Sequence, residues 1–308
     1  MIDWLLDSDP AIRWQVMRDL LGDPASAEER KRVAAEGWGA QLLGLQDADG
    51  RWDGGTYRPG WVDNTKPFFD AWTGTHFALQ LLHLLGAEPA DPAVSAAVDR
   101  VEENVIWDWA GVPYFDGETE ECVNGIALAT GSYFGRNVDK IVETLLGHRL
   151  DDGGWNCDRE EGATVSSFHS TICVLEGLLG WEKAGGSSDA VASARASGEE
   201  YLLERGLFRS KRTGEVVDPR FTMFSFPYYW YYDVLRALDY FRATGADPDP
   251  RCAEAIDLVE AKRDDSGRWA LDNRHQGPTH FRMDGREGRP SRWNTLRAMR
   301  VLNWAGRA

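Results

Sequence analysis

Apolar and amphipathic stretches alternate along this chain. Five strongly apolar segments, 75–85, 123–134, 168–179, 232–243 and 293–304, carry few polar positions and end near Gly86, Gly135, Gly180, Gly245 and Gly306. A glycine just beyond an apolar run is the usual left-handed stop of a helix. Between them lie more polar segments, 91–105, 137–149, 189–205 and 250–263, whose apolar residues fall on one helical face. Two-residue alternation and β-branched clusters are scarce, so strands are not predicted. The pattern reads as helices throughout, buried and solvent-facing in turn.

The junctions repeat. Gln46-Asp-Ala-Asp-Gly50-Arg-Trp52 has the form Q-x-x-x-G-x-W; Arg149-Leu-Asp-Asp-Gly153-Gly-Trp155 and Arg263-Asp-Asp-Ser-Gly267-Arg-Trp269 follow it with Arg for Gln. Weaker copies are Trp109-Ala-Gly111-Val-Pro-Tyr114 and Arg205-Gly206-Leu-Phe208. The aromatic positions 52, 114, 155, 208 and 269 are 62, 41, 53 and 61 residues apart, which suits one helical hairpin per repeat with variable loops. The Gly permits a tight turn with positive φ, and the Trp packs the hairpin base while its N–H seeks an acceptor.

Stacked hairpins place apolar helices inside and amphipathic helices outside. Because every inner helix follows the same turn, the inner helices should run parallel, with their N-termini at one end of a ring. The expected fold class is therefore all-α, an α/α toroid of about five to six hairpins. Residues 1–36 differ: Asp9-Pro10 opens an amphipathic helix, read as an N-terminal helical cap before repeats over 37–308. Gly185-Gly-Ser-Ser is a loop between helices, and no linker divides the chain, so one domain over 1–308 is expected.

Composition narrows the function. Hydrophobic residues at 43% and charged residues at 27% suit a globular core. Fourteen Trp, nine Tyr and twelve Phe exceed what ordinary packing needs and predict an aromatic-lined cavity. A net charge of −16 argues against nucleic acid and anionic membrane surfaces as partners. Acids at Asp3 and Asp7 stand where a secretory leader is basic, and no uncharged apolar run approaches the ~18–20 residues of a membrane span. No transmembrane segment and a cytoplasmic location are expected. Cys122, Cys157, Cys173 and Cys252 form no C-x-x-C pair and read as thiols or metal ligands. Nucleotide-binding glycine loops and the G-x-S-x-G elbow are absent.

The Q-x-x-x-G-x-W turns and Asp152-Gly-Gly-Trp-Asn156 resemble the repeats of squalene–hopene cyclases, and more broadly the terpenoid-cyclase and protein-prenyltransferase toroids, over residues 37–306. The resemblance implies a small apolar substrate, isoprenoid-like or another natural product. The D-x-D-D protonation motif of class II terpene cyclases is missing; Asp47-Ala-Asp49 and Asp247-Pro-Asp249 lack its final acids. Glu120-Glu121-Cys122 resembles, as E-x-C, the D-x-C zinc element of prenyltransferase β-subunits, and His169 resembles their later histidine ligand. The resemblance thus makes Glu120 or Glu121 a third ligand. That family binds diphosphate with basic residues just before the D-x-C element, whereas 115–120 is acidic here.

Read from repeat phase, His76, Cys122, His169, Asp233 and Asn294 share the first turns of the inner helices. Cys122 and His169 form a zinc-like pair, with Cys157 in the preceding turn able to complete it; buried thiols and a hydrogen-bonded histidine are the alternative. His76 and Asp233 are candidate acid/base groups, or a core histidine and a helix cap. Tyr229 and Trp230, within Phe226-Pro-Tyr-Tyr-Trp-Tyr-Tyr232, read as cavity wall. Arg292 and Asn294 read as substrate contacts. Two functions compete: an enzyme working at one mouth of the ring, zinc-assisted, and a binding protein holding a hydrophobic ligand unchanged. The sequence does not indicate an oligomeric state.

Overall fold

The computed structural model describes residues 1–63, 65 and 69–307. Among these residues all regular structure is helical, and extended pairing is limited to isolated antiparallel bridges. Short helices α1 (Ile2–Leu6), α2 (Pro10–Val16) and α3 (Ser26–Lys31) lead to α4 (Gly37–Gly44). Thereafter inner and outer helices alternate. The inner set follows from α5 (Thr75–Leu85), with α6 (Pro92–Asn104) outside it, then α7 (Glu121–Tyr133), α8 (Asp139–Gly147) and α9 (Phe168–Lys183). It continues through α10 (Asp189–Leu203), α11 (Val234–Thr244), α12 (Ala253–Ala261) and α13 (Arg292–Trp304).

The odd-numbered helices from α5 to α13 pack in sequence, α5 on α7, α7 on α9, α9 on α11 and α11 on α13. Every residue of α7 except Tyr133 is buried, as an inner-wall helix requires. The chain is an α/α toroid. Its seam, between α13 and α5, is filled by α2. Trp14 Nε1 donates to Leu85 O at 2.9 Å, Gln15 Nε2 to Leu84 O at 3.1 Å, and Arg300 Nη2 to Gln15 Oε1 at 2.5 Å. The segment read as a cap thus stands in the wall, and Arg292 Nε reaches Trp4 O at 3.0 Å beside it. No helix is long and apolar enough to cross a membrane, among the described residues.

The three strong turns are built alike. Trp52, Trp155 and Trp269 are buried, and their indole N–H groups donate to Leu42 O, Leu145 O and Val259 O, ten residues upstream, at 2.7, 2.7 and 2.6 Å. Each Trp backbone N–H donates to a threonine hydroxyl on the following inner helix: Thr75, Thr171 and Thr295, at 3.2, 3.1 and 3.1 Å. One residue therefore ties an outer helix's last turn to an inner helix's first. Gly50, Gly153 and Gly267 take positive φ of 88°, 102° and 79°, as expected. Trp155→Phe keeps most of the ring but leaves a buried carbonyl without its donor. It should cost about 1–3 kcal/mol, read as a lower urea midpoint at unchanged slope.

Two details differ from the sequence reading. In the weak repeat, Trp107 is the buried ring, stacked on Tyr114 with centroids 4.7 Å apart, while Trp109 is 85% exposed. Gly180 does not end its helix, which continues to Lys183; instead it packs against α7, a Cβ there lying 3.6 Å from Ala129 Cα. The approach is closer still at Gly125, where a Cβ would come within 2.4 Å of the Cys173 carbonyl carbon. These two wall helices touch backbone to backbone.

Candidate functional site

Aromatic residues between α10 and α11 cross the ring. Tyr229 accepts at its carbonyl from Gln80 Nε2 of α5 (2.8 Å) and from Arg236 Nη1 of α11 (3.2 Å), two helices on opposite walls. Its ring stacks on Trp72 at 4.0 Å and meets Phe77 edge-on, and Tyr231 donates from its hydroxyl to Asp70 Oδ2 at 2.8 Å. Tyr228 is buried beneath Arg236 and Arg297. The run read as a cavity wall packs across the ring, and some of it also lines space: Tyr228 a cavity near the ends of the inner helices, Phe226 and Tyr229 a small pocket beside His275. Most of its ring area meets other rings and the inner helices, because a segment this rich in apolar area buries itself.

A wide cleft of about 710 Å³ opens at the mouth where the inner helices begin. Tyr57, Val62, Trp107, Trp109 and Val123 give it apolar surface; Glu118 and Glu120 give it negative charge. At its edge Glu120, the residue before α7, lies with Cys122 and Cys157 so that one carboxylate oxygen and both sulfurs are within 4.8 Å of one another. This group can hold a metal ion.

The local fold explains the cluster. The turn bearing Trp155 brings Cys157 to the start of α7, where its Sγ accepts from Cys122 N at 3.1 Å and from Ser170 Oγ at 3.2 Å. Cys122 Sγ lies 3.9 Å from Glu120 Oε2. The adjacent Cys157 sulfur, together with burial, pushes the Cys122 thiol well above its usual range. Partial desolvation and the Glu118, Glu121 and Asp158 carboxylates raise Glu120. The Cys122 thiol and the Glu120 carboxyl group thus resist becoming charged unless a cation joins them. Glu121, one residue on, points elsewhere: its Oε1 pairs with Arg159 Nε at 2.9 Å and lies 3.0 Å from His148 Nδ1. Glu120 is therefore the acid placed with the cysteines.

The expected pairing of Cys122 with His169 is not made. His169 is outside the group of three; its Nδ1 accepts from Tyr232 N at 2.8 Å, with Phe221 and Trp230 edges around it. The reason is angular. Ser170, the next residue of α9, faces Cys157, and one residue along a helix turns a side chain by ~100°. Burial, with Arg236 and Arg220 nearby, lowers His169 to about 4, so it is neutral.

The other predicted residues serve the scaffold. His76 is fully buried behind the cleft wall, its Nδ1 2.9 Å from Tyr114 Oη and its Nε2 without a hydrogen-bond partner; burial lowers it to about 3. Asp233 caps α11, accepting from Arg236 N at 2.7 Å and Ser225 N at 3.3 Å. Asn294 Nδ2 donates to Phe224 O and Ala270 O, and Arg292 lies over the Trp4 ring. Trp230 stacks on Tyr231 at 3.7 Å. None of Asp233, Arg292 and Asn294 lines the cleft. The repeat phase missed Tyr57 and Glu118, which lie in loops with no periodic signature.

No protein-family model matches the chain, and no curated protein matches it. Among solved structures it is similar to the type II terpene cyclase MstE from Scytonema in its apo form, at 16% identity and a TM-score of 0.45. The match covers 97% of this chain and 88% of that one.

Proposed function

We propose that this chain is an enzyme acting on a small apolar molecule at the mouth where its inner helices begin, with zinc held by Glu120, Cys122 and Cys157. In substrate class it is squalene-cyclase-like or prenyltransferase-like, without D-x-D-D protonation chemistry. One observation carries the reading: two thiols and a carboxylate converge beside a cleft large enough for a substrate.

The donor set fits the metal. Sulfur and oxygen ligands suit zinc, and three protein ligands with an open position are the pattern of catalytic sites. Donors aimed at Cys157 Sγ from Cys122 N–H and Ser170 O–H are the supports a thiolate ligand uses. Zinc so held supplies Lewis-acid polarisation. The chain itself binds the apolar body on Tyr57, Trp107, Trp109 and Val123 and keeps negative charge at the rim through Glu118. His76 positions the wall through Tyr114, which stacks on Trp107.

Metal analysis of protein prepared without chelators should find one zinc per chain. Cys122→Ser and Cys157→Ser should each weaken binding more than about 100-fold, since even an outer partner is worth roughly 10–100-fold; His169→Ala should leave stoichiometry intact. Affinity should rise with pH, because both thiols must release protons to bind. Sub-stoichiometric zinc in the parent protein would sink the metal part of this reading. The exposed Trp109 at the rim favours a second reading, a carrier that holds an apolar ligand unchanged. Native mass spectrometry of the purified protein separates the two: intact lipid with no turnover identifies the carrier.

A further inference from the structure

The opposite mouth, where the inner helices end, is a second cavity of different character. It encloses about 230 Å³ and is lined by Gln80, Lys183, Arg236, Arg242 and Arg297, with Glu176 and Asp239 as its acids. In a chain of net charge −16, a cavity with four cations and two carboxylates is a local inversion of sign.

The pairing within it is incomplete. Arg236 takes Glu176 in a two-point contact, Nε–Oε1 2.9 Å and Nη2–Oε2 2.6 Å. Arg242 takes Asp239, Nε–Oδ1 2.7 Å. Both acids are thus engaged at close range and Lys183 Nζ donates to the Ala243 carbonyl at 2.6 Å, whereas Arg297 has only long contacts to carboxylates. It is 3% exposed, and its Nη1 donates to Ser225 O at 2.9 Å and Asn294 Oδ1 at 3.4 Å. Its Nη2 has no hydrogen-bond partner; Asp233 Oδ1 stands 3.9 Å away, and Nε lies 4.0 Å from Asp239 Oδ2. The neighbouring Arg300 Nε is likewise buried and unpartnered.

Helix C-termini gather at this mouth and attract basic side chains, which accounts for Arg242 and Lys183 in the last turns of α11 and α9. It does not account for Arg297, in the middle of α13 and part of the cavity's lining. A buried donor of a charged group left unpaired is costly, and an oxyanion is its natural partner. Leu84, Ile126, Ala129 and Leu179 supply apolar wall beside it.

We propose that this cavity binds a small molecule through an oxyanion, a carboxylate or phosphate group seated on Arg297 and Lys183, with a short apolar body against Ile126 and Leu179. The site is separate from the metal group and does not depend on it.

The test is thermal unfolding and isothermal titration of the full chain with sodium hexanoate and, separately, inorganic phosphate, each against sodium chloride at equal ionic strength. A saturable rise in Tm with either anion is expected, hexanoate identifying a carboxylate with an apolar body and phosphate identifying the phosphate alternative. Arg297→Gln should weaken the response about tenfold or more, as loss of a charge-assisted contact does. Should that variant not fold, Lys183→Gln, on an exposed side chain, and Ala129→Met, which narrows the cavity, should each weaken it instead. No response to either anion, or a response that survives these substitutions unchanged, overturns the proposal.

Discussion

Arg236→Ala should lower the unfolding free energy by about 3–5 kcal/mol, the largest loss expected from any single substitution away from the turns. Arg236 is 1% exposed and holds five partners at once: both Glu176 oxygens, the Tyr229 and Tyr231 carbonyls, and the Cys173 sulfur, with the Tyr228 ring 4.2 Å from its guanidinium carbon. Truncation leaves a carboxylate and two carbonyls facing a void. Glu176 is partly exposed and recovers some hydration, which sets the lower figure. Glu176→Leu combined with Arg236→Met should be milder than Arg236→Ala, because a removed pair costs less than a broken one. Urea denaturation followed by tryptophan fluorescence checks both, and equal losses would contradict the account.

Acid should unfold this protein steeply. In the unfolded chain an imidazole takes up its proton near pH 6.5. In the folded protein burial holds His76 and His275 to about 3 and His83 and His169 to about 4. Between those values unfolding takes up protons, so stability falls as the pH falls. Asp284 opposes this: burial raises it to about 6, so it gains a proton in the folded state first and favours folding as the pH drops. His76 is wholly buried and counts in full; the other three rings are partly exposed and count for less. The net is on the order of two to three protons, or about 2–4 kcal/mol per pH unit near pH 5. Against a total stability of roughly 5–15 kcal/mol, far-UV circular dichroism should show an acid transition between about pH 5 and 4. His76→Phe should shift it downward; an unchanged midpoint would count against the assignment.

The hairpins were legible because their signals are local. A glycine forced to positive φ and a tryptophan two residues later mark each strong turn, and the carbonyl that receives the indole lies ten residues back every time. The threonine on the far side was not legible, because Thr75, Thr171 and Thr295 follow their tryptophans at 23, 16 and 26 residues. At the candidate site, Cys122 could be read from its position at a helix start and Cys157 from the turn before α9, whereas Glu120 or Glu121 came only from the resemblance to the D-x-C element. His169 could not be separated from Ser170, since one step of α9 decides which faces Cys157. The aromatic run is legible only as a buried segment. Density of rings says that a segment is buried, but not whether it lines a space or fills it. Arg236 and Gln80, which pin Tyr229 from opposite walls, are far from it in sequence and carry no motif.

Pinned between Gln80 and Arg236, that segment ties α5 to α11 across the ring. The wide cleft takes its lining from residues 54–62, 107–109 and 118–120 and from Val123 in the first turn of α7, so the segment that crosses the ring leaves it untouched. Under the proposed function, Val62→Trp, which narrows that cleft, should slow substrate entry and product release alike.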